Sequence, residues 1–296
     1  MITSLKIKQT ISTVVSTVLG RRIAYSLRYY HNRGRFPNLK NPQDLSEILI
    51  SRIITDDFEK YAQYADKKKV REYIKEKGLG DHLLKHYGYW DDTDKINIEE
   101  LPSRFVLKTS NGAGGKNIFI CRNKEVFDIN NAKKQLKRAL TKKYKYEKQY
   151  NVFKPYVICE ELIDTGGDEW PTDYKFTCIH GVPVDIFVGS ERESGVKFCT
   201  RNIDWSVLNN TKPSFLPKKE PDKPNHLDVM IEMAKTLSAD FDFVRVDLYE
   251  YNDKVYFGEL TFSPWGGILY SYTDDAIKEY GQLLLNREKP TGNSSC

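Results

Sequence analysis

The stretch "FVRVDLYEYNDKVYFGELTFSP", residues 243–264, decides how the chain is read. Apolar runs lie on either side of Asn252-Asp253, which spells two strands joined by a tight turn. Alternate residues of a strand share a face, so Arg245 and Asp247 point the same way. A register that sets 252 opposite 254 also sets Asp247 opposite Glu259. Two carboxylates buried face to face repel each other unless a cation lies between them. Hard oxygen donors on rigid strands suit Mg²⁺, an ion that accompanies nucleotide phosphates. The same residues also fit a plain buried salt bridge between Arg245 and the two acids, and both readings stay open on these residues alone.

Upstream, "FVLKTSNGAGGKNIFI", residues 105–120, places Lys108 at the end of one strand and a small-residue loop before the next. The glycines let backbone N–H groups approach a phosphate closely. The loop follows its lysine and opens no helix, so it is not a Walker motif. A phosphate lid over Asn111, Gly112, Gly114 and Gly115 and a plain glycine-rich hairpin fit equally well. In "DYKF", Asp173 and Lys175 share a strand face. A carboxylate there suits ribose hydroxyls and the lysine suits phosphate, while an exposed ion pair explains the two residues as simply.

The chain has 296 residues, 40% hydrophobic and 29% charged, enough for a substantial core, with a net charge of +5. The first acidic residue is Asp44, after eight lysines and arginines. A one-sided basic end fits an anionic partner such as a membrane surface, and nothing points to nucleic acid. Within it, "ISTVVSTVLGRRIAYSLRYY", residues 11–30, reads as an amphipathic helix, packed on the domain or lying on the inner membrane face. It is too short and polar to span a bilayer and is not a signal peptide. Five cysteines lack close spacing, and the four within or beside apolar runs read as buried reduced thiols, which points to the cytoplasm.

Residues 1–100 read as a helical, basic region, with helices at "NPQDLSEILISRIITDD" and "DKKKVREYIKEKGLG" and a polar connection at "HYGYWDDTDKINIEELPSR". Residues 101–165 form a β-rich unit. Residues 166–290 hold a hairpin turning at His180-Gly181, a polar loop, a helix from Leu227, the hairpin quoted first, and a last helix; residues 291–296 read as a disordered tail. The fold class is α+β.

In their order and spacing these pieces resemble the ATP-grasp superfamily. The elements are a lysine before a small-residue loop, an apolar strand ending Glu160-Glu161-Leu162-Ile163, and Arg-x-Asp with Glu-x-x-x-x-Pro on a hairpin. The segment "GELTFSPWGG" looks like the Glu-x-Asn-x-x-Pro-Gly segment of D-alanine–D-alanine ligases, with Thr261 in place of the asparagine. "DKKKVREYIKEKGLGDHLL", "LPSRFVLKTSNGAGG", "PTDYKF" and the hairpin look like the TupA-like branch of teichuronopeptide and other surface-polysaccharide pathways. That resemblance implies two α+β subdomains clasping ATP after a helical region. Lys108 and the glycine loop would hold phosphates, Glu160 to Ile163 would form the adenine hinge, Asp173 would bind ribose and Lys175 a phosphate. Asp247, Glu259 and Thr261 would hold Mg²⁺, Arg245 would face the transferred phosphoryl group, and Arg192 would face the acceptor. The implied reaction joins a uronic-acid carboxyl to an amine, such as an amino acid, through an acylphosphate. The alternatives are a glycosyltransferase, for which "DFD" at Asp240 to Asp242 imitates a metal motif, and an ATP-grasp kinase. A non-catalytic polyanion- or membrane-binding module is a further one.

Overall fold

The computed structural model describes residues 20–55, 57–112, 117–143, 151–165, 171–190 and 197–286. Two antiparallel sheets organise it. The smaller runs in the order β1-β4-β2-β3 and the larger β10-β9-β5-β6-β7-β8.

The smaller sheet comprises β1 (His86–Trp90), β2 (Phe105–Thr109), β3 (Ile118–Cys121) and β4 (Val157–Glu160). Its strands alternate. Phe105, Leu107, Cys121, Val157 and Cys159 turn into a small apolar core shared with Leu136 of the helix α5 (Ile129–Leu140). That leaves Lys108 and Glu160 together on the opposite face. Strand β1 falls inside the segment expected to be a polar connection. Its aromatic residues pair it to β4, His86 opposite Glu160 and Trp90 opposite Val157, so the first sheet starts earlier than composition suggests.

The larger sheet comprises β5 (Asp173–Ile179), β6 (Val182–Ser190), β7 (Lys197–Arg201), β8 (Val207–Leu208), β9 (Phe243–Tyr251) and β10 (Lys254–Thr261). The expected polar loop after residue 197 thus begins with two more strands, one of them buried at Phe198 to Arg201. One face of the sheet is apolar, with Phe176, Val188, Val244, Val246 and Leu248 buried beside Met230, Met233 and Leu237 of α6 (Leu227–Ser238). The other face carries Asp173, Lys175, Thr177, Arg245 and Asp247, because Lys175 pairs with Asp247 and Thr177 with Arg245.

The helical region consists of α1 (Gly20–Arg33), α2 (Leu45–Ile54), α3 (Ala62–Ala65) and α4 (Val70–Glu76). Asp44 and Glu47 close a reciprocal capping box on α2, the kind of cap worth about 1 kcal/mol. The Tyr29 hydroxyl donates to Asp44 at 2.5 Å, and Arg35 bonds both acids at 2.6 and 2.7 Å. The last helix, α7 (Asp274–Leu285), crosses this cap so closely that a Cβ on Gly281 would lie 2.6 Å from Gln43 O. The first and last parts of the chain therefore pack as one layer. Cys121, Cys159, Cys178 and Cys199 are free and buried, as expected.

Candidate active site

The β9–β10 hairpin brings the expected acids together, by a different device from the one the turn suggests. Asn252 and Asp253 both take positive φ, 48° and 55°, as a two-residue hairpin turn requires. The turn pairs Tyr251 with Lys254, not 252 with 254. Continued unbroken, that register would set Glu259 opposite Val246, on the apolar face. A bulge at Gly258 shifts it by one residue, so that Glu259 pairs with Asp247 and Thr261 with Arg245. A Cβ on Gly258 would lie 2.9 Å from Asp247 O and 2.7 Å from the Tyr249 ring, so the bulge needs glycine.

Around the acids the structure places three cations. Arg245 grips Asp247 with two hydrogen bonds of 2.7 Å, from Nε and Nη2. Lys175 Nζ sits between Asp247 at 2.6 Å and Asp173 at 2.9 Å. Lys67, which sequence reading missed, reaches Glu259 at 3.4 Å from the segment between α3 and α4. Burial opposes ionisation of Glu259, but Lys67, Arg245 and Lys175 outweigh it and hold the carboxyl down at about 2. Burial likewise pushes Asp247 upward while Arg245 and Lys175 pull against it. The Thr261 hydroxyl donates to Glu259 at 3.1 Å and lies 3.3 Å from Arg245 Nη2. Both sequence readings therefore meet here: the acids face each other, and Arg245 bridges them.

On the smaller sheet, Lys108 Nζ donates to Glu160, and His86 Nε2 lies 3.4 Å from the same carboxylate. Burial opposes the charge on Glu160, but Lys108 and His86 hold it down at about 2. The Glu161 amide donates to Lys85 O at 2.8 Å, which narrows the backbone groups left for an adenine hinge toward Leu162 and Ile163. Asn111 is buried, and its side-chain oxygen finds no hydrogen-bond partner among the described residues. Gly112 follows on the same turn, its amide donating to Thr109 O at 3.0 Å. Gly114, Gly115 and Arg192 lie outside the described residues.

Two consecutive residues tie the sheets together. Lys67 reaches the larger sheet, while Asp66 accepts from the Tyr156 hydroxyl just before β4. These partners are far apart in sequence, 192 and 90 residues away, and no local pattern announces them. The only trace is that Asp66 and Lys67 open the lysine-rich helix segment.

Oxygen donors from Asp247, Glu259 and Thr261 on one sheet face fit a hard divalent cation. Among the described residues no group of three or more His, Cys, Asp or Glu side chains could hold a metal unaided. Asp173, Asp247 and Glu259 are balanced by Lys67, Lys175 and Arg245. The cluster has little net charge to draw a bare cation, which fits an ion arriving with phosphates.

A lysine-bearing sheet and a carboxylate-bearing hairpin on a second sheet, linked through a helical connector, form the ATP-grasp fold. The chain belongs to the TupA-like ATP-grasp family, whose model matches residues 47–285. No curated protein matches the sequence. Solved structures of similar shape include the D-alanine–D-alanine ligase of Helicobacter pylori, at 16% identity and a TM-score of 0.43, covering 75% of this chain and 60% of that one. The Bacillus anthracis D-alanine–D-alanine ligase gives 14% and 0.42, covering 76% and 66%. Carboxyaminoimidazole ribonucleotide synthase from Aspergillus clavatus, complexed with ATP, gives 14% and 0.43, covering 68% and 45%. The chain spans less than two thirds of these relatives' own length.

Proposed function

We propose that the chain is an ATP- and Mg²⁺-dependent carboxylate–amine ligase acting through an acylphosphate. The observation that supports it best is the single sheet face carrying Asp247, Glu259 and Thr261 beside Arg245 and Lys175. A carboxylate and a triphosphate are both anionic, so their approach needs fixed positive charge. Lys108, Lys175 and Arg245 supply it from rigid strands. Asp247, Glu259 and Thr261 would hold Mg²⁺, which neutralises phosphate charge when bound. Asp173 would bind ribose, with the adenine against Glu160, Glu161, Leu162 and Ile163. Residues 101–165 and 166–290 would be the two halves that close on the nucleotide, after the helical region 1–100.

In the reaction a substrate carboxylate oxygen attacks the γ-phosphorus, the bond to the β–γ bridging oxygen breaks, and ADP leaves. The amine nitrogen then attacks the acyl carbon, phosphate departs with the bonding pair, and the nitrogen loses a proton. Acylphosphates hydrolyse readily, so the site must exclude water, the task assigned to the glycine loop after Lys108. We place the acceptor among uronic acids of surface-polysaccharide synthesis, with an amino acid as amine, on the family's character.

No helix among the described residues is long and apolar enough to cross a membrane. Of the basic N-terminal residues, Arg28, Arg33 and Arg35 are engaged with internal partners. Peripheral contact at an anionic inner membrane face would combine the exposed stripe Ile23, Leu27 and Tyr30 with the exposed Arg22 beside it.

Incubation with ATP, Mg²⁺, a uronic acid and hydroxylamine tests the ligase reading. Hydroxamate with stoichiometric ADP and phosphate supports it. Phosphorylated sugar stable to hydroxylamine would indicate a kinase, and turnover of a nucleotide-sugar without ATP a glycosyltransferase; either result removes the proposal.

A further inference from the structure

Arg245 has two of its three guanidinium nitrogens committed, Nε to Asp247 at 2.7 Å and Nη2 to Asp247 at 2.7 Å and Thr261 at 3.3 Å. Among the described residues, Nη1 is the arm left for an incoming group. Asp247 holds one edge of that guanidinium, and the Trp265 ring covers its face, the ring centroid 5.4 Å from Arg245 Cζ. An indole face over a buried guanidinium attracts it and limits its rotation.

Trp265 holds that place at a conformational cost. Its backbone sits at φ 51° and ψ 30°, followed by Gly266 at φ 62° and Gly267 at φ 82°. A bulky residue in the left-handed region persists only where its surroundings over-determine it. The surroundings here come from the far end of the chain. Arg28 of α1 donates Nη2 to Trp265 O at 2.7 Å and Nη1 to Gly266 O at 3.2 Å. Arg33, one turn further on, bonds Tyr272 O at 2.8 Å and also Leu269 O, and Ser46 Oγ accepts from the Leu269 amide at 3.1 Å. Phe187 and Phe198 pack edge-on against the indole at 5.2 and 5.9 Å.

We propose that Arg28 is a positioning residue for Arg245. It clamps the two carbonyls of the Trp265-Gly266 turn, the turn sets the indole, and the indole sets the guanidinium that faces the transferred phosphoryl group. The basic N-terminal helix then serves the site through the fold. The phosphoryl role of Arg245 rests on the function proposed above; its positioning by Arg28 does not.

The test reads Arg245 directly, without turnover. A buried Arg Nε–H held by a carboxylate gives a slowly exchanging ¹⁵N–¹H signal, assigned as the one lost in Arg245→Lys. In Arg28→Ala, full chain, that signal should move and its exchange with solvent should quicken about tenfold. Trp265→Ala should do the same, Trp265→Phe should keep exchange slow, and Arg22→Ala on the exposed side of α1 should change nothing. If Arg28→Ala does not fold, Arg28→Lys, which keeps the charge but loses the planar fork, should give about a threefold change. A folded Arg28 variant whose Arg245 signal keeps its position and exchange rate overturns the proposal. The hydroxylamine result has no bearing on this outcome, so the two readings fail separately.

Discussion

Replacing Gly258 by alanine attacks the bulge that sets the acids opposite each other. The added Cβ would meet Asp247 O at 2.9 Å and the Tyr249 ring at 2.7 Å. The ring can swing aside, but the carbonyl belongs to the strand that carries Asp247. Crowding of this kind costs about 1–3 kcal/mol. One relief is to close the bulge and slip the strand by a residue. That would turn Glu259 toward Val246 on the apolar face, where an unpaired carboxylate costs more than the crowding. The strained bulge therefore persists, with Glu259 drawn out of line. At roughly 2–4 °C per kcal/mol, the melting temperature should fall by about 2–12 °C. The Mg²⁺ concentration that half-saturates ATP turnover should rise about 10–100-fold, as for a misaligned metal ligand. Gly189→Ala is the control, because its Cβ would meet the Phe198 ring at 3.5 and 3.7 Å, ordinary contact. Melting curves and Mg²⁺ titrations of both proteins check the expectation. A Gly258→Ala protein with the melting temperature and Mg²⁺ dependence of the unmodified chain would refute the role given to the bulge.

Glu160 is held down at about 2 by Lys108 and His86 against its burial. Its contribution is therefore present above about pH 4.5 and lost as pH falls toward 2. Lys108→Met should cost about 3 kcal/mol at pH 7 by stranding the carboxylate and should flatten that acid limb, as urea unfolding across pH would show. Asp185 behaves oppositely: burial pushes its carboxyl up to about 6, despite the Tyr280 hydroxyl donating at 2.7 Å. Its neutral form fits the fold, so stability from this group is full below about pH 4 and is lost as pH rises through 6. Asp185→Asn should stabilise the protein by about 3 kcal/mol at pH 8 and hardly at all at pH 4, and an equal effect at both values would exclude this titration. At the surface, Leu27→Glu should weaken flotation with anionic liposomes, and unchanged flotation would remove the stripe from any membrane contact.

Much of the fold was legible because local rules carry it. The helix expected within residues 41–57, the His180-Gly181 and Asn252-Asp253 turns, and the alternating Arg245–Asp247 and Asp173–Lys175 faces all appear where the sequence puts them, though α2 is capped by Asp44 and not by the Asn-Pro pair before it. Strands β1 and β7 were not legible, since each is short, polar in part and defined by partners elsewhere. The Asp247–Glu259 pairing was anticipated through the wrong register. The turn pairs 251 with 254, and the bulge at Gly258 makes up the difference, which no turn rule contains. Lys67 and His86 escaped altogether, because their partners lie far along the chain. Cysteine chemistry held, as the four described thiols are buried and free.

The layer shared by the chain's two ends bears on how the protein is made. Buried Leu45, Leu49, Ile50 and Ile53 of α2 belong to a core completed by Ile268, Ile277 and Leu284. Arg28 likewise finds its carbonyls 237 and 238 residues later. A ribosome delivers the first helices long before the residues that cover them. An apolar helix therefore waits without its lid, and the two strands that bear the acids emerge about 200 residues after it. Closing contacts at such separation is slow, and the waiting surface is sticky. The face that bears Asp247 and Glu259 thus becomes whole long after the first helices are made, and a nascent chain cut short before α7 carries an uncovered core.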